Sequence, residues 1–132
     1  MDAREAARQW AHVWSQAWPA KDVEAIARLY ADSAAYRSHP FREPKTGQKG
    51  ALEYTRWAFA DEDAIQCWFG EPIVQGARAS VQWWATFTTD GKEWTLAGTS
   101  ILRFDEDGQV LEHWDYWVQD EGRRTPPVGW GA

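Results

Sequence analysis

The second half of the chain consists of four long segments that are typical of β-strands. These segments are rich in aromatic and β-branched residues, and turn residues separate them. The segments are residues 64–75, 77–89, 93–104 and 109–118. The turn residues are Gly70-Glu71-Pro72, which predicts a kink, and then Gly76, Asp90-Gly91 and Asp107-Gly108. The pattern predicts a meander of antiparallel strands in this half of the molecule.

The first half begins with two stretches that have helical spacing of apolar residues. Asp2 and Glu5 form a capping pattern before the first helix, which we expect from about residue 3 to residue 17. Trp18-Pro19 is expected to end it, because the residue before a proline avoids the helical region. Asp22 caps a shorter second helix, which is expected to stop near Asp32.

A brief strand and a third helix complete the first half. The strand is expected at residues 34–38 and the helix at residues 48–60. The fold class is therefore α+β, with three helices on one face of an antiparallel sheet. Residues 119–132 form a loop-like tail, and Trp130 in it either closes over a pocket, packs on a neighbouring chain or belongs to a mobile end.

Composition limits the classes of function. With 132 residues, the chain has the length of a single domain, residues 1–132. Its 11 Trp residues favour an aromatic-lined cavity, because rings of this size leave gaps when they pack. The net charge is -6, and no basic run is present to follow a phosphate backbone, so nucleic acid is not expected as a partner.

The cysteine content and the N-terminal sequence indicate the cellular location to expect. Cys67 is the single cysteine, so no internal disulfide is expected. No signal peptide or membrane span is predicted, and the expected location is cytoplasmic. We expect no cofactor, and no single element carries ligands at metal-binding spacing, so His39, His113 and Asp115 are not predicted to hold a metal ion.

The last predicted strand places one carboxyl group among bulky apolar side chains. Side chains alternate across a strand, so Leu111, His113, Asp115 and Trp117 share one face. A carboxyl group in such a place must be paired, hydrogen-bonded or neutral, and each of these states suits proton transfer. Asp115 is therefore the first candidate for a catalytic group.

Both faces of the predicted sheet are apolar. We expect one face to carry the set Val81, Trp83, Ala85, Thr95, Ala97, Thr99, Ile101, Trp114 and Tyr116. The helices can cover only one face of the sheet, so the other face is expected to contact a second subunit in a homodimer.

The order and spacing of these elements over residues 10 to 118 resemble the NTF2-like, or SnoaL-like, superfamily. This resemblance implies a cone-shaped α+β domain with a ligand cavity between the helices and a curved sheet. His113-Trp114-Asp115-Tyr116-Trp117 is similar to a segment of limonene-1,2-epoxide hydrolase in which the Asp activates water. Tyr36-Arg37-Ser38-His39-Pro40 and Arg78-Ala79-Ser80-Val81 resemble two further segments of that enzyme.

The resemblance implies roles for single residues, and it also has gaps. Arg78 would lie near Asp115 and orient it, and Tyr36 would hold a water or a ligand oxygen. Ser80 stands where the enzyme has its second Asp, and Ser38 stands where it has a water-holding Asn. Because a serine hydroxyl is a poor general acid at neutral pH, epoxide opening is not assigned.

The remaining candidates are residues expected to line the cavity. Gln82 and Trp84 continue the strand face of Arg78 and Ser80 by alternation. The full ligand-binding set is Ser38, His39, Ser80, Gln82, Trp84, Trp14, Trp18, Tyr54, Trp57, Gly98 and Trp117.

Two interpretations of Asp115 follow from the sequence. In one, Asp115 is a general base in a cavity that binds a small, largely apolar molecule bearing an oxygen function, with His113, Tyr36 or Ser38 supplying donors. The reaction would be hydration, isomerisation, cyclisation or elimination. In the other, an Asp115–Arg78 pair is scaffolding inside a non-catalytic binding or association module, and His113 is a hydrogen-bonded wall residue.

Overall fold

Helices and strands alternate in the first half of the chain, and strands alone follow in the second. The structure is a computed structural model that describes residues 1–132. The helices are α1 (Ala3–Ala20), α2 (Val23–Ala27) and α3 (Gly47–Phe59). The strands are β1 (Tyr30–Arg37), β2 (Lys45–Thr46), β3 (Asp63–Phe69), β4 (Ile73–Gln75), β5 (Arg78–Thr89), β6 (Lys92–Phe104) and β7 (Val110–Glu121). The α+β class predicted from the sequence is confirmed.

The strands form one mixed sheet. Their order is β2-β1-β7-β6-β5-β3, and β4 pairs with β5. Neighbours are antiparallel except β1 and β7, which are parallel, so the expectation of a purely antiparallel sheet is wrong at this pair. No hairpin joins β1 to β7, because α3 and the other strands lie between them in sequence, and a turn therefore does not fix their relative direction.

Helix α1 continues through Pro19, which the sequence predicted to lie beyond its end. A proline in a helix cannot donate to the carbonyl four residues earlier, here that of Ser15. The Cys67 thiol, 3.7 Å away, donates to that carbonyl instead. Lys21 then ends the helix in the left-handed region, with its N–H bonded to the carbonyls of Ala17 and Trp18.

Helix α2 is shorter than predicted, because strand pairing begins before the expected helix end at about Asp32. The Leu29 carbonyl accepts the backbone N–H of Val110 at 2.9 Å, and Tyr30 already belongs to β1. β1 therefore also starts earlier than the strand predicted at residues 34–38.

The turn between β5 and β6 sets which side chains share a face. Asp90 and Gly91 both have positive φ, 51° and 78°, as a two-residue hairpin turn requires. Thr89 consequently pairs with Lys92, and Trp83 pairs with Gly98. The prediction that Thr95, Ala97, Thr99, Ile101, Trp114 and Tyr116 share the face of Trp83 is wrong. Thr99 pairs with Tyr116 and Ile101 pairs with Trp114, so these residues lie on the opposite face, since a pairing shifted by one residue moves every side chain to the other face.

Helix α1 packs three indole rings against the inner face of the sheet. Trp10, Trp14 and Trp18 follow one another at four-residue spacing, and all three are buried. Helix α3 buries Ala51, Thr55 and Phe59 on its inner side. No helix combines the length and the apolar character needed to cross a lipid bilayer.

The C-terminal tail packs on the outer face of its own sheet. The Arg124 carbonyl accepts the Trp84 indole N–H at 2.7 Å, and the Trp130 ring meets that indole edge to face at 6.1 Å. The Gly131 carbonyl accepts the backbone N–H of Glu71 at 2.7 Å. Of the positions considered for Trp130, neither closure over the cavity nor a mobile end describes this arrangement.

Candidate functional site

A cavity of about 400 Å³ lies between the helices and the inner face of the sheet. This volume is in the range of small-molecule sites. Eleven aromatic residues line it: Trp10, Trp14, Trp18, Tyr36, Tyr54, Trp57, Phe59, Phe69, Trp83, Phe87 and Trp117. Among the polar residues of the wall are Ser100, His113, Asp115, Glu62 and Arg42. The cavity therefore offers a large apolar surface with few polar groups.

Asp115 on β7 is buried in this wall, with 8% of its surface exposed. Its Oδ1 atom accepts a hydrogen bond from the Ser100 hydroxyl at 2.6 Å and is also hydrogen-bonded to His113 Nε2. The Trp83 indole donates to Ser100 Oγ at 3.0 Å. Because that oxygen accepts from the indole, the Ser100 proton is directed at Asp115. Two donors therefore orient one carboxylate oxygen.

His113 connects Asp115 to a second pair of buried side chains. The ring is 1% exposed, and its Nδ1 lies 2.7 Å from the Tyr30 hydroxyl, which accepts the Trp10 indole N–H at 3.3 Å. Burial raises the pKa of Tyr30 far above its usual value, so the phenol keeps its proton and donates it to Nδ1. This assigns the proton of a neutral imidazole to Nε2, where it is donated to Asp115.

This network changes the role expected of His113. Both ring nitrogens are engaged inside the protein, so neither is free for a ligand in the cavity. His113 is consequently a positioning residue that acts through Asp115, and it is not placed to serve as the acid partner considered from the sequence.

Asp115 Oδ2 and the Tyr36 hydroxyl face the cavity without a protein partner. Neither atom makes a hydrogen bond within the protein, and Trp14 Nε1 is the only fully buried side-chain polar atom that lacks one. Both Asp115 and Tyr36 line the cavity, so their free atoms lie on its surface. The Tyr36 ring stacks on His113 with centroids 4.0 Å apart. Burial, and then the Asp115 charge, raise the pKa of Tyr36, which therefore stays a hydrogen-bond donor.

The structure brings most of the predicted inner residues to this cavity. Those that line it are Trp14, Trp18, Tyr36, Tyr54, Trp57, His113, Asp115 and Trp117. Trp57 is 70% exposed and therefore lies at the opening of the cavity. Ser38 lies behind the wall, where its carbonyl accepts the Trp117 indole N–H at 2.7 Å and its hydroxyl accepts from Arg42 at 3.1 Å.

His39 and Gly98 have structural surroundings that the sequence did not specify. His39 Nδ1 accepts the backbone N–H of Phe41 at 3.2 Å and lies in a shallow outer depression, away from the cavity wall. Gly98 lies on the inner face between Trp83 and Trp117. A Cβ atom at Gly98 would be only 2.7 Å from the Trp117 Cβ. Because glycine has no side chain, Trp117 can pack directly against the backbone of β6.

Four predicted site residues lie on the wrong face of the sheet for a role in the cavity. Arg78, Ser80, Gln82 and Trp84 alternate with the buried Ala79, Val81 and Trp83 and therefore point outward. Ser80 pairs with the Thr99 hydroxyl at 2.8 Å, and Trp84 lies under the tail. The expected Asp115–Arg78 pair is thus incorrect, and Ser100 and His113 are the partners of Asp115.

Sequence reasoning missed Ser100, Tyr30 and Glu62. Glu62, between α3 and β3, is 9% exposed, and its Oε1 accepts the Trp18 indole N–H at 2.8 Å. Burial raises its pKa to about 7, against the weaker opposing effects of Trp18 and Lys21. Glu62 lies in the charged run Asp61-Glu62-Asp63, which is typical of a solvent-exposed turn, so no local sequence signal predicts its burial.

The SnoaL-like domain family matches residues 7–113, and the chain belongs to this family. No curated protein matches the sequence. No group of three or more His, Cys, Asp or Glu side chains is arranged to hold a metal ion.

Solved structures share the fold at low sequence identity. One is a hypothetical protein from Catenulispora acidiphila with a ketosteroid isomerase-like fold, in complex with trimethylamine (TM-score 0.73, 15% identity, 82% of this chain and 84% of that chain). A second is SalBIII, an epoxide hydrolase/cyclase-like enzyme of pyran ring formation in the polyether salinomycin (TM-score 0.75, 13% identity, 89% of this chain and 95% of that chain). A third is RV0760c from Mycobacterium tuberculosis (TM-score 0.75, 13% identity, 92% of this chain and 98% of that chain). At these identities the likeness establishes the fold alone.

Proposed function

We propose that the protein binds one small, largely apolar molecule bearing an oxygen function and that Asp115 transfers a proton on it without a cofactor. The observation that carries the proposal is the free Asp115 Oδ2 in an aromatic cavity, while Oδ1 is held by Ser100 and His113. An oriented carboxylate with one free oxygen has the form of a general base.

The Tyr36 hydroxyl supplies the complementary group. When the base removes a proton from the carbon next to a carbonyl group, negative charge develops on the carbonyl oxygen of the ligand. The Tyr36 O–H faces the same cavity and can donate a hydrogen bond to that oxygen. Isomerisation, cyclisation, dehydration and hydrolysis all use this pair of groups, and the fold does not choose among them.

Two structural neighbours have descriptions that bear on this class of reaction. SalBIII is described as an epoxide hydrolase/cyclase-like enzyme, and the Catenulispora protein has a ketosteroid isomerase-like fold. Epoxides and pyran rings, which the description of SalBIII names, both contain oxygen. The oxygen function assigned to the ligand is consistent with the description of SalBIII.

The experiment begins with the ligand. Mass spectrometry of small molecules retained on gentle purification identifies a candidate, whose affinity and turnover are then measured with wild-type protein and Asp115→Asn. We expect similar affinity and a turnover that is roughly a hundredfold to ten-thousandfold lower in the variant. Asp120→Asn, an exposed change on the same strand, serves as the matched control.

The competing interpretation makes the Asp115 network scaffolding in a binding module. The complete bonding of Oδ1 favours this alternative, because such networks also order cavities. If Asp115→Asn lowers the free energy of unfolding and leaves turnover per folded molecule unchanged, the residue is scaffolding.

We also propose that the protein forms a homodimer through the outer face of β6 and β7. Tyr116 and Val118 are exposed there beside a shallow depression that includes Phe41 and Ala97, while the tail covers the neighbouring part of β5. A patch of this kind suits a second copy of the same surface. Light scattering should give a dimer for wild type and a monomer for Val118→Glu, and a wild-type monomer would refute the proposal.

A further inference from the structure

Glu62 is a second carboxyl group of the cavity, outside the Asp115 network. Its Oε1 accepts one hydrogen bond, from the Trp18 indole, and its Oε2 accepts none from the protein. No Lys, Arg or His side chain forms an ion pair with it. A carboxyl group that is nine-tenths buried and has a free oxygen in a cavity lacks the partner that burial of a charge normally requires.

Aromatic rings that line the same cavity cluster around Trp18, the donor to this carboxyl group. The Trp18 ring stacks on Phe59 with centroids 5.7 Å apart, and Trp14 meets both rings edge to face. Trp83 meets Trp18 from the sheet side at 5.9 Å. The faces of indole and phenyl rings attract cations, and several rings beside a carboxylate bind an ammonium group better than either feature does alone.

The charges around the cavity also favour a positive ligand. Asp61, Glu62 and Asp115 line it against one cation, Arg42, which donates to Ser38 at 3.1 Å.

The other groups near Glu62 do not supply the missing partner. Lys21 at the end of α1 lowers the pKa of Glu62, but its ammonium group reaches the Ala60 carbonyl at 3.4 Å. Tyr54 on α3 is an uncharged phenol, because burial raises its pKa.

We propose that Glu62 and the rings of Trp14, Trp18, Phe59 and Trp83 form a subsite for a protonated amine on the ligand. The inference rests on the proposed function, since it names the chemical group at a second position of the same ligand. The ammonium N–H donates to Glu62 Oε2, and its alkyl substituents contact the rings. The ligand class is then an amine that also bears an oxygen function at the Asp115 position.

Binding of a cation to this subsite requires the ionised form of Glu62. The pKa of Glu62 in the ligand-free protein is about 7. At neutral pH, roughly half of the protein molecules must therefore release a proton from Glu62 when an ammonium group binds. The affinity for an amine should therefore rise with pH through this range. A neutral ligand that accepts a hydrogen bond from the protonated carboxyl group would show the opposite trend.

The test compares two probes of equal size by calorimetry, phenethylamine and phenethyl alcohol. We expect the amine to bind more tightly at about pH 8, with an affinity that rises roughly tenfold from about pH 6 to about pH 8. Glu62→Gln should remove both the preference and the pH dependence. Asp63→Asn, which removes the adjacent exposed charge, should keep both.

A second variant tests the subsite without touching the carboxyl group. Trp18→Phe removes the indole N–H that stabilises the ionised form, so the rise in amine affinity should move to higher pH. A purely structural role of Trp18 would not shift this profile.

The outcomes separate this inference from the proposed function. Equal binding of the two probes at high pH, or amine binding that weakens as pH rises, overturns the amine subsite and leaves the Asp115 proposal intact. Failure of both probes to bind wild-type protein overturns the amine subsite and also argues against the cavity as a ligand site. Loss of turnover in Asp115→Asn is scored independently of either probe.

Discussion

The two carboxyl groups of the cavity are held in opposite ways. Asp115 receives hydrogen bonds from Ser100 and His113, and each of these is held by a further side chain. Glu62 receives one hydrogen bond from a neutral indole, and burial raises its pKa to about 7. The two groups are equally buried, with 8% and 9% of their surface exposed, so the number of donors that hold the carboxyl group, more than its burial, distinguishes Asp115 from Glu62.

Replacing Asp115 by Leu should have the largest effect on stability. The change leaves the Ser100 hydroxyl and the His113 N–H buried without an acceptor, and each orphaned donor costs about 1–3 kcal/mol. We expect the free energy of unfolding to fall by about 3 kcal/mol in urea denaturation. A loss as small as that of Glu62→Gln at acidic pH would erase the contrast between the two groups.

Replacing Glu62 by Gln should make the protein more stable at alkaline pH. The pKa of Glu62 is raised from 4.5 in the unfolded chain to about 7 in the fold, so the fold favours the neutral acid. The contribution of Glu62 to the free energy of unfolding is therefore fully present below about pH 4.5 and is lost as pH rises through about 7.

The variant lacks this loss, because Gln is neutral at every pH. The free energies of unfolding of wild type and variant should be similar near pH 4.5. Above about pH 7, that of the variant should be about 2–3 kcal/mol higher than that of wild type. Urea denaturation across the range measures the difference. A constant difference between the two proteins at all pH values would contradict the account.

Replacing Tyr30 by Phe tests the outer part of the Asp115 network. The change removes the donor to His113 Nδ1 and the acceptor of the Trp10 indole, at a cost of about 1–2 kcal/mol in unfolding free energy. Turnover should fall while ligand affinity is kept, because the effect on the ligand passes through Asp115. Tyr116→Phe, which removes an exposed phenol hydroxyl on the outer face of β7, is the matched control. An unchanged turnover would show that His113 does not need this support.

Much of the fold could be predicted from the sequence, because local signals agree with the final contacts. The Asp2 cap, the four-residue spacing of the α1 tryptophans and the Asp90-Gly91 turn each specify their element. The parallel pairing of β1 and β7 could not be predicted in this way, since it depends on contacts between distant segments.

The site was harder to predict, for two different physical reasons. The face error at Arg78 and Ser80 was avoidable, because a two-residue turn at Asp90-Gly91 already places Val81 opposite Ser100. Glu62 offered no such signal, since its burial arises from rings on α1 and α3 that the chain brings together only after folding. The local pattern therefore places Asp115 on the inner face of β7 and cannot place Glu62 in the cavity.

Hydrogen exchange at the ligand tests the central claim most directly. Wild-type protein and Asp115→Asn are incubated with the captured ligand in D₂O, and nuclear magnetic resonance follows deuterium incorporation beside the oxygen function. We predict incorporation with wild type and a loss of roughly a hundredfold or more with the variant, at unchanged affinity. Equal incorporation with both proteins would contradict the assignment of Asp115 as the base, and none with wild type would contradict proton abstraction from carbon, as isomerisation requires.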